Sequence, residues 1–411
     1  MRLTLICTSR TDWNRRLVAR LSMPLLLLSA AGAFALHGCK AASAQPPPST
    51  IIYAGQVNGG GSGIFVQDWP GKAPRLIRPH VISKYRPGGD IHSPLLSPDG
   101  SSVLFVAKST STLRKPPTPV GWKDSTDMWV LDLKTGRLKP LTRDAKGYLF
   151  ASWSPDSRYI LADSEEGQVE LPTGSQEKVR NLCVWNVCTG TRHLIQKGSG
   201  QYGVWSNDGK QVLYNGYTSN GKPAYLSVSR LGGKPHVLLL TSTGDYGIAG
   251  WSPDGKRLAF TLSPSGPSDI YTLSRAGGGI RRFKRLVVGS GGIPLGMMKW
   301  SPDSRKIAFL DVGPHGPAYD DYQPALRVLD TNTGKIMQLW QVTLGEARII
   351  GWSSDGKWVI ASRYRKWDPY FQQELVAASA DGKAEVVLSS PAGKTFGFDW
   401  RELRPVQHRR R

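Results

Sequence analysis

The sequence is poor in the residue types that most often carry chemistry. Of 411 residues only four are cysteine, Cys7, Cys39, Cys183 and Cys188, too few for a disulfide framework. Cys183 and Cys188 lie five residues apart along one expected strand, roughly 16 Å at about 3.3 Å per residue. A bridge tolerates a Cα separation of about 7 Å, so these two are expected as thiols. The seven histidines are scattered, with no H-x-x-x-H or His-carboxylate spacing, so neither a metal nor a cofactor is expected. No G-x-S-x-G nucleophile elbow occurs. Acidic side chains are also short, 31 Asp and Glu against 53 Lys and Arg. One long apolar run exists, Leu21 to Leu36, and no other approaches the roughly 18 residues needed to span a bilayer.

That run follows Arg2, Arg10, Arg15, Arg16 and Arg20 and stops at His37-Gly38-Cys39, the layout of an export signal. Two cleavage sites fit it. Leu36-His37-Gly38-Cys39 resembles a bacterial lipobox, with Cys39 as the lipidated first residue, although His37 stands where a small or aliphatic residue is usual. Ala42-Ser43-Ala44 before Gln45 resembles an ordinary A-x-A site. The first gives a lipid-anchored protein of the periplasm or outer envelope, the second a soluble exported one. Cleavage before Cys39 removes five arginines and Asp12, leaving 48 basic against 30 acidic side chains. Such a surface is attracted to anionic lipid, while an exported chain argues against nucleic acid as the partner. The plainest role for the excess Lys and Arg is a solubilising coat that protects strand edges.

What the sequence has in plenty is one repeat. Trp251-Ser252-Pro253-Asp254-Gly255, followed by Lys256-Arg257-Leu258-Ala259-Phe260, returns as Trp153-Ser154-Pro155-Asp156-Ser157, Trp205-Ser206-Asn207-Asp208-Gly209, Trp300-Ser301-Pro302-Asp303-Ser304 and Trp352-Ser353-Ser354-Asp355-Gly356. Leu96-Ser97-Pro98-Asp99-Gly100 is a copy without the Trp. From Leu96 onward the spacings are 57, 52, 46, 49 and 52 residues, a period that signals stacked supersecondary units. Within the copy at 149–195, strands are expected at 149–153, 159–162, 183–187 and 192–195, with Gly and Pro-Asp supplying the tight turns. The Trp supplies apolar area to an interface between units, and the Asp accepts backbone N–H groups in its turn. A residue repeated once per unit is spread around a ring, which argues against the recurring Asp as ligands or catalytic carboxylates.

The W-S-P-D-G pattern, followed by a strand ending Asp-x-x-Thr-Gly, as at Asp132 to Gly136 and Asp330 to Gly334, resembles the WD-like repeat of the TolB propeller family over nearly all of 51–411. The resemblance implies a β-propeller of four-stranded blades, the first strand lining the channel and the fourth outermost. Six copies carry the turn. Strands at 50–54, 63–68 and 74–77 lack a first strand, and Phe396 to Trp400 is a first strand with nothing after it, 48 residues beyond Trp352 and in phase. The expectation is therefore an all-β, seven-bladed propeller of antiparallel blades, the last closed by N- and C-terminal strands, which hides the open edges. The domain plan is 1–38 signal (1–44 with ordinary cleavage), 39–49 spacer, 50–403 propeller and 404–411 basic tail. The family's α/β domain ahead of the propeller has no counterpart between signal and first strand, so the resemblance carries fold more firmly than role.

In such a ring the loops from second to third strand and from fourth strand to the next blade share one face. Here they hold exposed aromatics among charged groups: Trp122, then Glu165 and Glu166, then Tyr319-Asp320-Asp321-Tyr322, then Arg363-Tyr364-Arg365 with Trp367 and Tyr370. Flat rings bury area at small entropy cost while keeping a polar handle, which suits a sugar or a peptide. The same aromatics could instead cover loop cores. Two functions from different classes follow: a monomeric, non-catalytic scaffold for a protein or glycan of the envelope, and a propeller enzyme, a polysaccharide lyase or hydrolase, with its site at the channel mouth. Missing nucleophile and His motifs favour the scaffold.

Overall fold

The structure, a computed structural model, describes residues 45–403 apart from 58–61, 72, 79–90, 109–125, 145, 171–175, 199, 217–223, 242–244, 264–267, 289–297, 312–324, 342–346, 365–371 and 392–394. Over these it is all-β, with 28 strands in seven four-stranded antiparallel sheets. Six blades run in chain order from an innermost to an outermost strand, opening with β4 (Ile91–Leu96), β8 (Tyr148–Trp153), β12 (Gly200–Trp205), β16 (Asp245–Trp251), β20 (Met298–Trp300) and β24 (Ala347–Trp352).

The seventh blade joins the chain ends. β28 (Thr395–Glu402) is its first strand and pairs with β1 (Ser49–Gln56), which continues to β2 (Ser62–Trp69) and β3 (Arg75–Arg78). In that register Ile51 stands opposite Trp400 and Tyr53 opposite Phe398. The composite closing blade expected from the phase of Trp400 is therefore present. It satisfies the edge of β1 that would otherwise stand open.

The core lies between blades. The buried apolar residues fall into seven clusters, each drawn from two neighbouring sheets. Trp352, for example, packs with Ala308, Leu310, Leu326 and Val328 of the blade before it, and Trp300 with Ala259 and Ile270. Two-residue alternation along each strand presents one apolar row to the preceding blade and one to the next. Every blade thus depends on both neighbours.

The repeat turn explains its own sequence. In all six copies the Ser hydroxyl donates to its Asp at 2.5–2.6 Å, and the Asp Oδ1 accepts the backbone N–H two residues on. The same Ser Oγ accepts the N–H five residues on, closing the turn. The fifth position needs positive φ, which Gly209, Gly255 and Gly356 supply without strain. Ser157 and Ser304 adopt it too, at φ 61° and 59°. Their hydroxyls accept the N–H of Asp99 and Asp254, the matching turn one blade back, at 3.1 and 2.9 Å. A bond between blades offsets the backbone cost there.

Candidate binding face and channel

The repeat residues are spent on structure. Trp153, Trp300 and Trp352 donate their indole N–H to the carbonyls of Leu95, Gly250 and Lys299, each on the first strand of the preceding blade, at 3.0–3.2 Å. The turn carboxylates are spent likewise. Partial burial works against ionisation of Asp254 and Asp303, but hydrogen bonds from their serines and from the amides of Lys256 and Arg305 outweigh it and hold both below the ordinary range. Function has to be sought at the opposite end of the ring and in the channel.

At that opposite end blade 2 stands tall. β9 (Tyr159–Glu170) and β10 (Gln176–Asn186) have 12 and 11 residues, whereas second strands elsewhere have six to eight, such as Gln211–Gly216 and Ser49–Gln56. The hairpin extends roughly 15 Å farther at about 3.3 Å per residue. Glu165 and Glu166, expected in the loop from second to third strand, therefore lie within β9, and the strands expected at 159–162 and 183–187 are longer than the hydrophobic pattern shows. The hairpin is held by side chains that do not look strand-like: Arg180 reaches Asp163 at 3.1 Å and Glu165 at 3.2 Å, and Lys146 and Arg192 both pair with Glu166.

These groups set the local electrostatics. Complete burial pushes Asp163 up to about 6 in spite of Arg180 and of the Leu149 amide, which donates to it at 3.1 Å. At Glu166 burial acts in the same sense but loses to hydrogen bonds from Lys146, Ser164 and Arg192, which bring it to about 2. Tyr202, at φ 51° on the first strand of blade 3, lies near Asp163. Burial foremost, then that carboxyl, raises its hydroxyl above the ordinary range.

Of the residues expected on the binding face, Arg363 and Tyr364 lie within the described residues. Both belong to β25 (Trp358–Tyr364), the second strand of blade 6, which carries the strand further into 363–370 than expected. Arg363 is engaged on all sides: Nε donates to Glu374 at 2.9 Å, both terminal nitrogens meet Glu385 at 3.0 and 2.6 Å, and the guanidinium lies 5.5 Å from the Trp340 ring centroid. Tyr364 is half-buried at the strand's end, in register with Gln373. Trp122, Tyr319, Asp320, Asp321, Tyr322, Arg365, Trp367, Tyr370 and the lipidation candidate Cys39 lie outside the described residues. Cys183 is buried and Cys188 exposed in the turn beyond β10; both are free. Among the described residues no three His, Cys, Asp or Glu converge as a metal site, and no helix is long and apolar enough to cross a membrane.

Three charges stand on the first strands of consecutive blades: Lys299 on β20, Arg348 on β24 and Asp399 on β28. Each sits between residues that pack toward the preceding blade, Met298 and Trp300, Ala347 and Ile349, Phe398 and Trp400, so alternation turns it toward the following blade, in register with Ala308, Ser362 and Ile52 respectively. The Asp399 carboxylate accepts the N–H groups of Leu96 at 2.6 Å and Trp400 at 2.9 Å. Burial raises its pKa, opposed by those amides and by Arg401 and Arg348. Burial lowers Lys299, with Arg348 adding to the shift and Asp399 opposing it, and burial likewise lowers Arg348. The periodic repeat hides this trio because its members occupy ordinary strand positions. The signal available was a charged residue directly before a repeat Trp, at Lys299 and Asp399, where other blades have Leu95, Ser152, Val204, Gly250 and Gly351.

These seven sheets define a seven-bladed β-propeller. No family model matches the chain. Dipeptidyl-peptidase 5 of Porphyromonas gingivalis is 26% identical over 145 residues, which are 32% of this chain and 20% of that protein; the chain thus spans a small part of the curated relative it matches. Among solved structures it is similar to TolB from Acinetobacter baumannii, at 19% identity, TM-score 0.47, with 86% of this chain and 82% of that one covered. It is also similar to an oligogalacturonate lyase in complex with manganese, at 14% identity and TM-score 0.52, with 84% and 86% covered. At such identities the last likeness shows the fold.

Proposed function

We propose that this chain is an exported, non-catalytic binding scaffold that takes a protein or glycan partner of the cell envelope on its long-loop face. The observation that carries the reading is the division of labour between the two ends of the ring. At one end the repeat turns lock blade to blade and use up their own polar groups. At the other, where second strands turn to third strands, the blade 2 hairpin extends farthest. Loops placed by a rigid scaffold are where binding residues concentrate. The aromatic and charged residues of 319–322 and 363–370 supply the chemistry, and the N-terminal signal supplies the location, lipid-anchored through Cys39.

Affinity capture from envelope extract with wild-type protein and with Tyr364→Ala plus Trp367→Ala tests the face. Loss of most of the recovered partner is expected, and undiminished recovery overturns the assignment. Mass spectrometry of the mature N-terminus tests the anchor: a diacyl-modified Cys39 is expected, and an unmodified Gln45 start contradicts it. The enzyme reading keeps one supporting observation, the Asp163 carboxyl pushed by burial up to about 6, where it can exchange a proton close to neutral pH.

A further inference from the structure

We propose that a cavity at the seam between blades 3 and 4 is a binding site for a phosphomonoester, held by Arg230, Lys234 and Arg275. The cavity, about 270 Å³ in volume, lies at the end of the ring that carries the repeat turns and is an exception to their self-sufficiency. The seams from blade 1 to 2 and from blade 4 to 5 are closed at this end by a cation of the fourth strand. Lys139 donates to the carbonyls of Val187 and Cys188 in the turn of blade 2, and Arg281 to those of Thr331 and Asn332 in the turn of blade 5, at 2.6–3.2 Å. His236 holds the same position in blade 3. Lys139, Arg281 and His236 each pair with the residue two before the start of their own turn, Val130, Thr272 and Val228. Among the described residues His236 makes no bond across its seam. The facing turn of blade 4 carries Arg275, so cations meet there and the seam stays open.

The lining decides what the cavity can hold. Its floor is apolar, from Val228, Leu238 and Trp251, and no carboxylate lines it. Arg275 is set in place, its guanidinium 5.0 Å from the Trp251 ring centroid and donating to Gln211. Arg230 and Lys234 have no side-chain hydrogen bond or ion pair among the described residues, whereas Arg180, Arg281 and Arg363 are committed to protein partners. Three cations, with the Asp208 carboxylate 3.7 Å from Arg275, leave two net positive charges. A phosphomonoester approaches two negative charges at neutral pH, and guanidinium and ammonium donors together match its several oxygens. The apolar floor gives the organic part of the ester a place to rest, as small-molecule sites do. The site draws on no residue of the long loops, so it stands or falls independently of the loop-face reading.

Calorimetric titration of the exported chain at low ionic strength, with phenyl phosphate, inorganic phosphate and phenol as probes, tests the site. Saturable phenyl phosphate binding is expected, with weaker binding of inorganic phosphate and none of phenol. Arg230→Gln and Lys234→Gln should each weaken phenyl phosphate about tenfold, the loss expected for one charge-assisted bond. Lys256→Gln removes an exposed cation of the adjoining repeat turn that does not line the cavity, and should bind within about twofold of wild type. All three side chains are exposed, so circular dichroism should stay that of the wild type. Vesicles of phosphatidylcholine with and without phosphatidic acid separate the sources of the ester. Binding to the acidic vesicles that phenyl phosphate displaces assigns a lipid head group, and its absence assigns a soluble ester. No saturable phenyl phosphate binding, phenol binding as tightly, or equal losses in Lys256→Gln and Arg230→Gln would each overturn the site.

Discussion

At single residues burial and polar partners compete, and Asp163 and Glu166 show opposite outcomes. Asp163 is salt-bridged to Arg180 yet sits at about 6, because a carboxyl with no solvent exposure loses more hydration than one partner returns. Its folded pKa lies above the unfolded value, so between about pH 4 and 6 the folded state holds a proton that the unfolded state has released. Stability contributed by this group is therefore full below that window and falls as pH rises through it, by about 2–3 kcal/mol. Thermal unfolding across pH 4–7 should show the decline in wild type and a flatter curve in Asp163→Asn. Parallel curves would mean that Asp163 does not titrate there. Glu166 works the other way: its value of about 2 makes it stabilising at neutral pH, a contribution lost as pH falls from about 4.5 toward 2.

At the scale of the element, the repeat turn and its Trp are fasteners, and their costs differ. Trp300 is buried in the cluster between blades 4 and 5 and bonded to Gly250, so Trp300→Ala should lower stability by about 3–5 kcal/mol by chemical denaturation. Ser304→Gly relieves a strained φ and gives up the bond to Asp254 at once. The two effects are each about 1 kcal/mol, so the net change should stay within about 1 kcal/mol of wild type. Ser304→Ala keeps the strain and loses the bond, and should be the less stable of the two. The reverse order would show that the positive φ at this position carries no strain for a residue with a Cβ. The turn was legible in the sequence down to the role of its Asp. The tall hairpin was not, because Val169 is the one apolar residue in Gln168 to Glu170 and Gln176 to Lys178, too little to mark a strand, and nearer its base Arg180 and Glu165 pair across 15 residues of sequence.

At the scale of the whole molecule, the ring has no spare interface. β28 supplies the closing blade's first strand, and Glu402 at its end accepts the N–H and hydroxyl of Ser354 at 2.8 Å, standing in for the turn contacts made elsewhere. Truncation after residue 394 removes this strand and opens two interfaces, between blades 6 and 7 and between 7 and 1. The expected outcome is the loss of one cooperative unfolding transition, with a broad, low-temperature melt by calorimetry. A sharp transition near the wild-type temperature would show that closure contributes little.

The sequence by itself determined the fold class, the blade number and the closing strand, because a repeat writes local turn chemistry and phase directly into the residue order. Tertiary structure decided what no local pattern encodes. It engaged Arg363 with Glu374, Glu385 and Trp340. It extended blade 2 and joined it through charged pairs, and it set Lys299, Arg348 and Asp399, up to 100 residues apart, on the first strands of consecutive blades. The reason is physical: backbone turns obey neighbours within five residues, whereas burial and electrostatic balance depend on strands that only ring closure makes adjacent.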